Sequence, residues 1–418
     1  MTESSIRQRK KSTAAPNGVA GTPEEHPGGD IRHGGIIQAI RFFLFITWFL
    51  CGSCTICVTQ WIGIPLYWIN KDLYYAYMAL TKQSFGIMIT TAIQWWSPIL
   101  MRVSGDESVA GQLRKTADGR IECDFPERMI MVANHQLYTE WQYLWWVAYT
   151  NKPQMHGHIY IMLKESLKYI PIIGWGMLFY GFIFMSRKME TDRPRIAHRL
   201  NKLKAVHSGP LSGTSGLDPM WLLIFPEGTN LSENTSKKSK KWADKIGVKN
   251  MEHTLLPRST GSFFILNELK GTVEYVYDCT MAYEGVPRGK FGETYYTLRS
   301  MTLRGQVPPS VNMYWRRFAI KDMPLDNAEE FDAWLRERWY EKDALIEQYL
   351  TTGRFPGSQQ VTNDATTGEE KEKHIEVQVK LGHWYEVANI FVVVATAALI
   401  ASSLARVWNG MFYGKDMA

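Results

Sequence analysis

The residues best suited to chemistry lie in the stretch IMVANHQLYTEWQYLWW, positions 130–146. Four apolar residues run into Asn134-His135, and one carboxylate, Glu140, precedes a Trp-rich segment of helical character. A His at the end of a buried strand emerges at the rim of a sheet, where α/β proteins place their sites. Glu140 is five residues on, about 140° round an ideal helix, so the two side chains share no helical face. They meet only if His135 lies in the turn before a helix and Glu140 in its first turn. The carboxylate then fixes the imidazole tautomer and supports positive charge on the ring, leaving the second nitrogen to accept a proton. The competing reading is a structural His beside a solvent-facing Glu, and the pair alone does not decide between them.

A second polar cluster, LLIFPEGTN at 222–230, has the same form: an apolar strand, then Pro, a carboxylate, a Gly and a hydroxyl. Gly228 permits close backbone approach, and Glu227 can bind hydroxyl groups of a ligand. Both clusters can open on one edge of one sheet.

The elements needed to position them are readable between residues 102 and 355, which alternate strand-like and helix-like segments as one α/β domain with a mixed central sheet flanked by helices. RMIMVA (128–133), WLLIF (221–225), VEYVYDCTMAY (273–283) and VNMYWRRFAI (311–320) are expected strands. A helix is expected over 193–207, with Asp192 as its N-cap and Pro194 in its first turn. Another is expected to start at Asp326 with Glu329 in a capping-box position and to end near 350. Its apolar face would be Phe331, Trp334, Leu335, Leu345, Ile346 and Tyr349.

In this order and spacing, NHQLYTEW and FPEGTN resemble the first and third signature blocks of the glycerolipid acyltransferase family, eukaryotic branch. GFIFMSRK (181–188) resembles the second, and LLPRSTG (255–261) the later part of that domain. The family's first block usually ends in Asp, where this chain has Glu140. The resemblance implies an acyl-CoA-dependent acyltransferase that esterifies a lysophospholipid, with lysophosphatidic acid as the first expectation. Lysophosphatidylinositol, lysocardiolipin and a catalytically impaired lipid-binding relative are the alternatives. His135 is the expected general base, steadied by Glu140. Arg187 is the expected phosphate ligand, because a guanidinium makes bidentate contacts with phosphate oxygens, and Lys188 assists it. By similarity to the family, Glu227, Gly228 and Thr229 position the glycerol backbone. Pro257 and Arg258 shape the same pocket, although Arg258 is equally open to a structural role. The thioester is already activated, so no covalent intermediate and no cofactor are expected. Acyl-CoA is a co-substrate.

Two apolar runs bracket the domain. Residues 36–69 carry one charge, Arg41, and exceed the ~20 apolar residues that a bilayer crossing needs. Their Gly and Pro residues also allow a hairpin that dips in and returns. Residues 83–101 are more polar and Pro-broken, so they are expected to lie in the interface. Residues 387–405 read as a transmembrane helix flanked by Trp384, Tyr385, Arg406 and Trp408. The organisation expected is thus a disordered tail (1–35), an anchoring region (36–101), the domain (102–355), a polar linker (356–383), a transmembrane helix (384–408) and a short tail (409–418). The RQRKK knot at 7–11 favours a cytosolic N-terminus, and a hairpin keeps the domain cytosolic on the endoplasmic reticulum membrane, where acyl-CoA is available.

A net charge of +6 is too small for this length to argue for nucleic acid, and suits an anionic leaflet. CGSCTIC (51–57) and MHGH (155–158) lack the partners or spacing of a metal site. SKKSKKWADK (236–245) reads as a solvated basic helix face.

Overall fold

A computed structural model describes residues 25–186, 188–208, 215–357 and 374–412. The expectations for residues 1–24, for Arg187, for 358–373 and for 413–418 lie outside the described residues.

The chain opens with helix α1 (Gly35–Gly63) and the short α2 (Leu66–Ile69), then returns as α3 (Lys71–Trp96). Asn70 caps α3 by accepting the Leu73 amide at 3.0 Å. Strand β1 (Leu100–Gly105) follows, then a small hairpin of β2 (Leu113–Lys115) and β3 (Ile121–Cys123). Next come β4 (Arg128–Ala133), α4 (Glu140–Thr150), β5 (Ile159–Lys164), α5 (Ile173–Phe179), β6 (Ile183–Met185) and α6 (Met189–Leu203). β7 (Val206–Ser208) and β8 (Ser215–Leu217) pair with each other before β9 (Met220–Ile224), α7 (Glu233–Ile246) and α8 (Ser259–Leu269). The chain continues through β10 (Tyr275–Tyr283), α9 (Gly292–Tyr295), β11 (Val311–Ala319) and α10 (Ala328–Thr352), and ends in β12 (Ile375–Gln378) and α11 (Val392–Phe412).

Eight strands form one mixed sheet in the order β12-β1-β11-β10-β4-β9-β5-β6. β10, β4, β9, β5 and β6 run parallel, β11 is antiparallel to β10, and β12 is antiparallel to β1. The central strands β4 and β9 are apolar apart from Arg128 because both faces are covered. Along β4, Met129, Met131 and Ala133 enter the core under α4, and Ile130 and Val132 enter the core on the other face. Along β9, Trp221 and Leu223 alternate with Met220, Leu222 and Ile224 in the same way. The second face is closed by Ile196 and Leu200 of α6, Ile265 and Leu269 of α8, and Phe331, Leu335 and Trp339 of α10.

Several boundaries differ from the sequence reading. α6 begins at Met189, and Asp192 lies inside it, reaching back to the amides of Ser186 (2.8 Å) and Lys188 (3.2 Å). α10 is capped by Asn327 instead of Asp326, because the Asn327 side chain accepts from Glu329 and Glu330. The segment expected in the interface is the second half of α3, buried against α4 where Phe85 meets Trp141 and Trp145. Within the tail, Gly29 and Arg32 bond to Gln306 and Arg304, and His26 bonds to the Tyr295 carbonyl. Within the linker, β12 adds an edge strand to β1.

By length and composition, two helical runs suffice to cross a membrane: Gly35–Ile69 and Val392–Asn409. Arg41, the one charge in the first run, donates to the carbonyls of Trp96 (2.6 Å) and Thr302 (3.0 Å). α11 leaves the domain beside α1, where Trp48 meets Phe391.

Polar groups in the second core are paired. Asp278 of β10 is buried between Lys342 (2.6 Å) and Arg316 (2.7 Å), and Lys342 also donates to the Cys279 carbonyl. Burial pushes the Asp278 carboxyl up, but the charges of Lys342 and Arg316 outweigh it and hold it below the usual carboxylate range. Asp278→Asn leaves the buried Lys342 ammonium without its carboxylate and Arg316 with Glu341 alone, and the expected loss is about 3–5 kcal/mol. Chemical denaturation of the purified protein in detergent measures it, and a wild-type midpoint would refute this account.

Candidate active site

His135 lies two residues past the end of β4, and Glu140 opens α4, so the condition set by their spacing is met. His135 Nδ1 lies 2.7 Å from Glu140 Oε2. The other carboxylate oxygen, Oε1, accepts the Gln136 amide at 2.8 Å and the Tyr283 hydroxyl at 3.0 Å. Glu140 is 0% exposed, so its charge depends on these three donors and on the positive end of the helix it begins. With a carboxylate as acceptor, Nδ1 carries the proton and Nε2 presents a lone pair. The ring is 19% exposed, which leaves a route to that lone pair.

The surrounding residues immobilise this pair. Asn134 exchanges two hydrogen bonds with the Met281 backbone (2.8 and 3.0 Å), locking the end of β4 to β10. The Phe225 ring stacks on the imidazole at 4.4 Å, and the His135 carbonyl accepts the Leu231 amide at 2.6 Å. The two motifs identified from sequence are therefore one structure.

Glu227 lies against the His135 turn and is buried there. It is 2% exposed, and its Oε1 accepts the Trp339 indole at 3.3 Å and the His135 amide at 3.4 Å. Burial pushes its carboxyl up to about 8; the Trp339 hydrogen bond opposes the shift, and the neighbouring Glu140 charge adds to it. Gly228 has φ +72°, which its turn requires, and a side chain there would also touch Arg258. Thr229 is half-buried on the same turn. The Arg258 amide bonds the Pro226 carbonyl at 2.8 Å, tying the segment holding Pro257 and Arg258 to this loop. The Arg258 residue is exposed.

Lys188 is exposed just past β6, three strands from β4, roughly 14 Å along the sheet edge at the usual strand spacing. It is therefore not part of the His135 cluster. Asn230 is buried and donates to Glu293, so the sequon at 230–232 is not available to a glycan in this fold.

Tyr283, Trp339 and Glu293 were not identified as site residues from sequence. Phe225 stood inside the recognised motif, and Tyr283 ended a recognised strand. Trp339 and Glu293 meet the site only through tertiary packing.

Two experiments test this geometry. Tyr283→Phe removes one donor from Glu140, so kcat should fall about tenfold with KM nearly unchanged. An unchanged kcat would show that the hydroxyl does not steady the pair. Glu227 tests the electrostatics, since its native carboxyl keeps a proton that the unfolded chain releases above pH 4.5. Its contribution to stability therefore falls as pH rises from 4.5 to about 8, and levels off above that. Glu227→Gln, neutral at every pH, should flatten that slope in melting curves. An equal slope in both proteins would place the titration elsewhere.

Comparison with known proteins agrees with the geometry. The acyltransferase family model matches residues 103–284, and the acyltransferase C-terminus model matches 301–380. An uncharacterised acyltransferase of Schizosaccharomyces pombe is 38% identical over 86% of this chain and 95% of its own. The 2-acyl-1-lysophosphatidylinositol acyltransferase of Saccharomyces cerevisiae is 37% identical over 71% of this chain and 81% of its own. Lysocardiolipin acyltransferase 1 of Danio rerio is 33% identical over 57% of this chain and 55% of its own. With a buried His–Glu pair at the carboxyl edge of the sheet and this likeness along its length, the chain belongs to the glycerolipid acyltransferase family and is an acyltransferase.

Proposed function

We propose that the protein transfers an acyl group from acyl-CoA to a free hydroxyl of a lysophospholipid, with His135 as general base. The observation that carries this reading is the 2.7 Å contact between His135 Nδ1 and Glu140, which leaves Nε2 as the proton acceptor. Nε2 takes the hydroxyl proton as that oxygen attacks the thioester carbonyl. Glu140 stabilises the imidazolium that forms. When the tetrahedral intermediate collapses, the carbon–sulfur bond breaks, the thiolate of CoA leaves, and the imidazolium returns the proton to sulfur. The new ester and free CoA balance the reaction.

For the acceptor, we place lysophosphatidylinositol ahead of lysophosphatidic acid. Lysophosphatidic acid followed from the signature blocks alone, whereas a Saccharomyces cerevisiae relative matching 71% of this chain is named for the inositol lipid. A Caenorhabditis elegans relative, 30% identical over 70% of this chain, is named a lysophosphatidylinositol acyltransferase as well. Lys188 stands too far along the sheet edge to join the proton transfer, and this reading assigns it, with Arg187, to the head group. Arg258, exposed above the Gly228 turn, is the cation nearer the glycerol phosphate. The antiparallel return of α3 along α1 supports a membrane hairpin, with the domain on the cytosolic face of the endoplasmic reticulum.

His135→Ala should abolish incorporation of labelled acyl chain into phospholipid while leaving the melting midpoint within a few degrees of wild type. Full activity would end the proposal. Glu140→Asp shortens the acid by one methylene, so it cannot hold His135 while also meeting Gln136 and Tyr283. A fall in kcat of about ten- to a hundredfold is expected, the worth of one charge-assisted hydrogen bond. A gain instead would mean that Glu140 marks an impaired relative. Offering purified enzyme a panel of lyso-lipids, with CoA release as readout, should give the highest kcat/KM with the inositol head group. A preference for lysophosphatidic acid would reverse the ordering.

A further inference from the structure

A cavity of about 240 Å³ lies away from His135. It opens at the opposite edge of the sheet, where Arg128 begins β4, His158 precedes β5 and Met220 begins β9. β4 separates it from His135 by the length of a six-residue strand, roughly 17–20 Å. Its outer wall is the start of α3 and its floor is α6.

The charges lining this cavity do not cancel. Lys82, Arg128, Arg199 and Lys202 face two carboxylates, Asp72 and Asp218. Asp72 is already bonded to His207 Nδ1 at 2.6 Å, and Asp218 lies 3.7 Å from the other ring nitrogen. Lys82 is 2% exposed, yet its ammonium meets only the Ile159 carbonyl at 3.2 Å and the face of Tyr160 at 3.6 Å. Arg128 donates to the carbonyls of Thr272, Asp218 and Leu203, all uncharged acceptors. Among the described residues Arg199 and Lys202 have no ion-pair partner. Of these four groups only Lys82 is buried, and burial pushes its pKa down to about 7. Its charged form therefore gains from an anion bound beside it, as the half-buried Arg199 and the exposed Lys202 do from a counter-charge. His158 in the same wall stays neutral: burial, and then the Lys82 charge, push its pKa down to about 4.

The remaining lining says which anion. Tyr74, Tyr75 and Tyr160 offer rings and hydroxyls beside the cations, and Leu178 and Phe179 are apolar. Outside the mouth, Trp68 and Ile69 of α2 are each 76% exposed at the end of the first apolar run. An amphiphile fits this gradient, with a phosphate among the cations and its chains leaving along the apolar rim. We propose that this cavity is a second lipid-binding site, remote from His135, which takes the phosphate of an anionic phospholipid from the membrane beside α2.

The site is independent of the acyl-transfer reading, so it is tested on the full-length protein carrying His135→Ala as well as on wild type. Each is placed in phosphatidylcholine nanodiscs with and without phosphatidylinositol, and separately exposed to inorganic phosphate. Melting midpoints and bound lipid by native mass spectrometry are the readouts. Anionic lipid should raise the midpoint by several degrees in both proteins and stay bound. Arg199→Gln with Lys202→Gln, at positions outside the core, should lose most of that rise and at least tenfold in retained anionic lipid, with the midpoint in pure phosphatidylcholine unchanged. Restoring charge with Arg199→Lys should recover part of it. Inorganic phosphate giving the full rise, with no further gain from phosphatidylinositol, would overturn the lipid assignment in favour of a free phosphate ligand. An equal rise in wild type and the double variant, or none in either, would overturn the site itself.

Discussion

The active site rests on one buried carboxylate. Glu140 has no contact with solvent, and an ionised acid in that position is tolerated only while donors replace its lost hydration. The imidazole Nδ1–H, the Gln136 amide and the Tyr283 hydroxyl do this from three directions, and the first turn of α4 adds the field of its free amides. Those donors come from the loop after β4 and from β10, and the field from the helix that Glu140 begins. Any shift in the packing of α4 on the sheet therefore loosens the acid, and the imidazole loses its orientation with it. The Asn134–Met281 clamp and the stacked Phe225 ring are intelligible as restraints on this one group.

The same constraint bears on the substitution of Glu for the family's usual Asp. The longer side chain lets Glu140, at the first position of α4, reach back to His135 and still turn its second oxygen toward β10. A decayed site would be expected to leave the ring unheld or the acid solvated. Neither is the case here, so the geometry favours a working enzyme in which the extra methylene is accommodated by the position of the helix.

What sequence revealed here depended on the range of the interaction. β4 was readable to the residue because an unbroken apolar run between polar signals is what a strand covered on both faces requires. The His135–Glu140 meeting was readable as a condition, since both residues are local to one turn. Glu227 is legible as a site residue from its motif, but its burial is not, because the group that covers it, Trp339, lies more than a hundred residues later. The helix caps failed for a smaller reason. Asp192 and Asn327 lie close to acids or amides that satisfy similar patterns, and only backbone geometry chooses among them. The edge strand β12 was hidden in a polar segment because an edge strand buries only alternate residues, here Ile375 and Val377.

Strand direction also separates the two ends of the molecule. Five neighbouring strands run parallel, so every loop at their carboxyl ends faces the His135 pair and every strand start faces the opposite edge. α1 joins the two edges: near its start Arg41 binds the Thr302 carbonyl, close to the loops beyond β10, and past its end Tyr67 lines the far cavity. A 29-residue helix is about 43 Å long, ample to reach from one edge to the other. Arg41 also grips the carbonyl of Trp96 at the end of α3, so the start of α1 is held to both returning chains. The position of the first apolar helix against the sheet is thereby tied to the edge that carries His135.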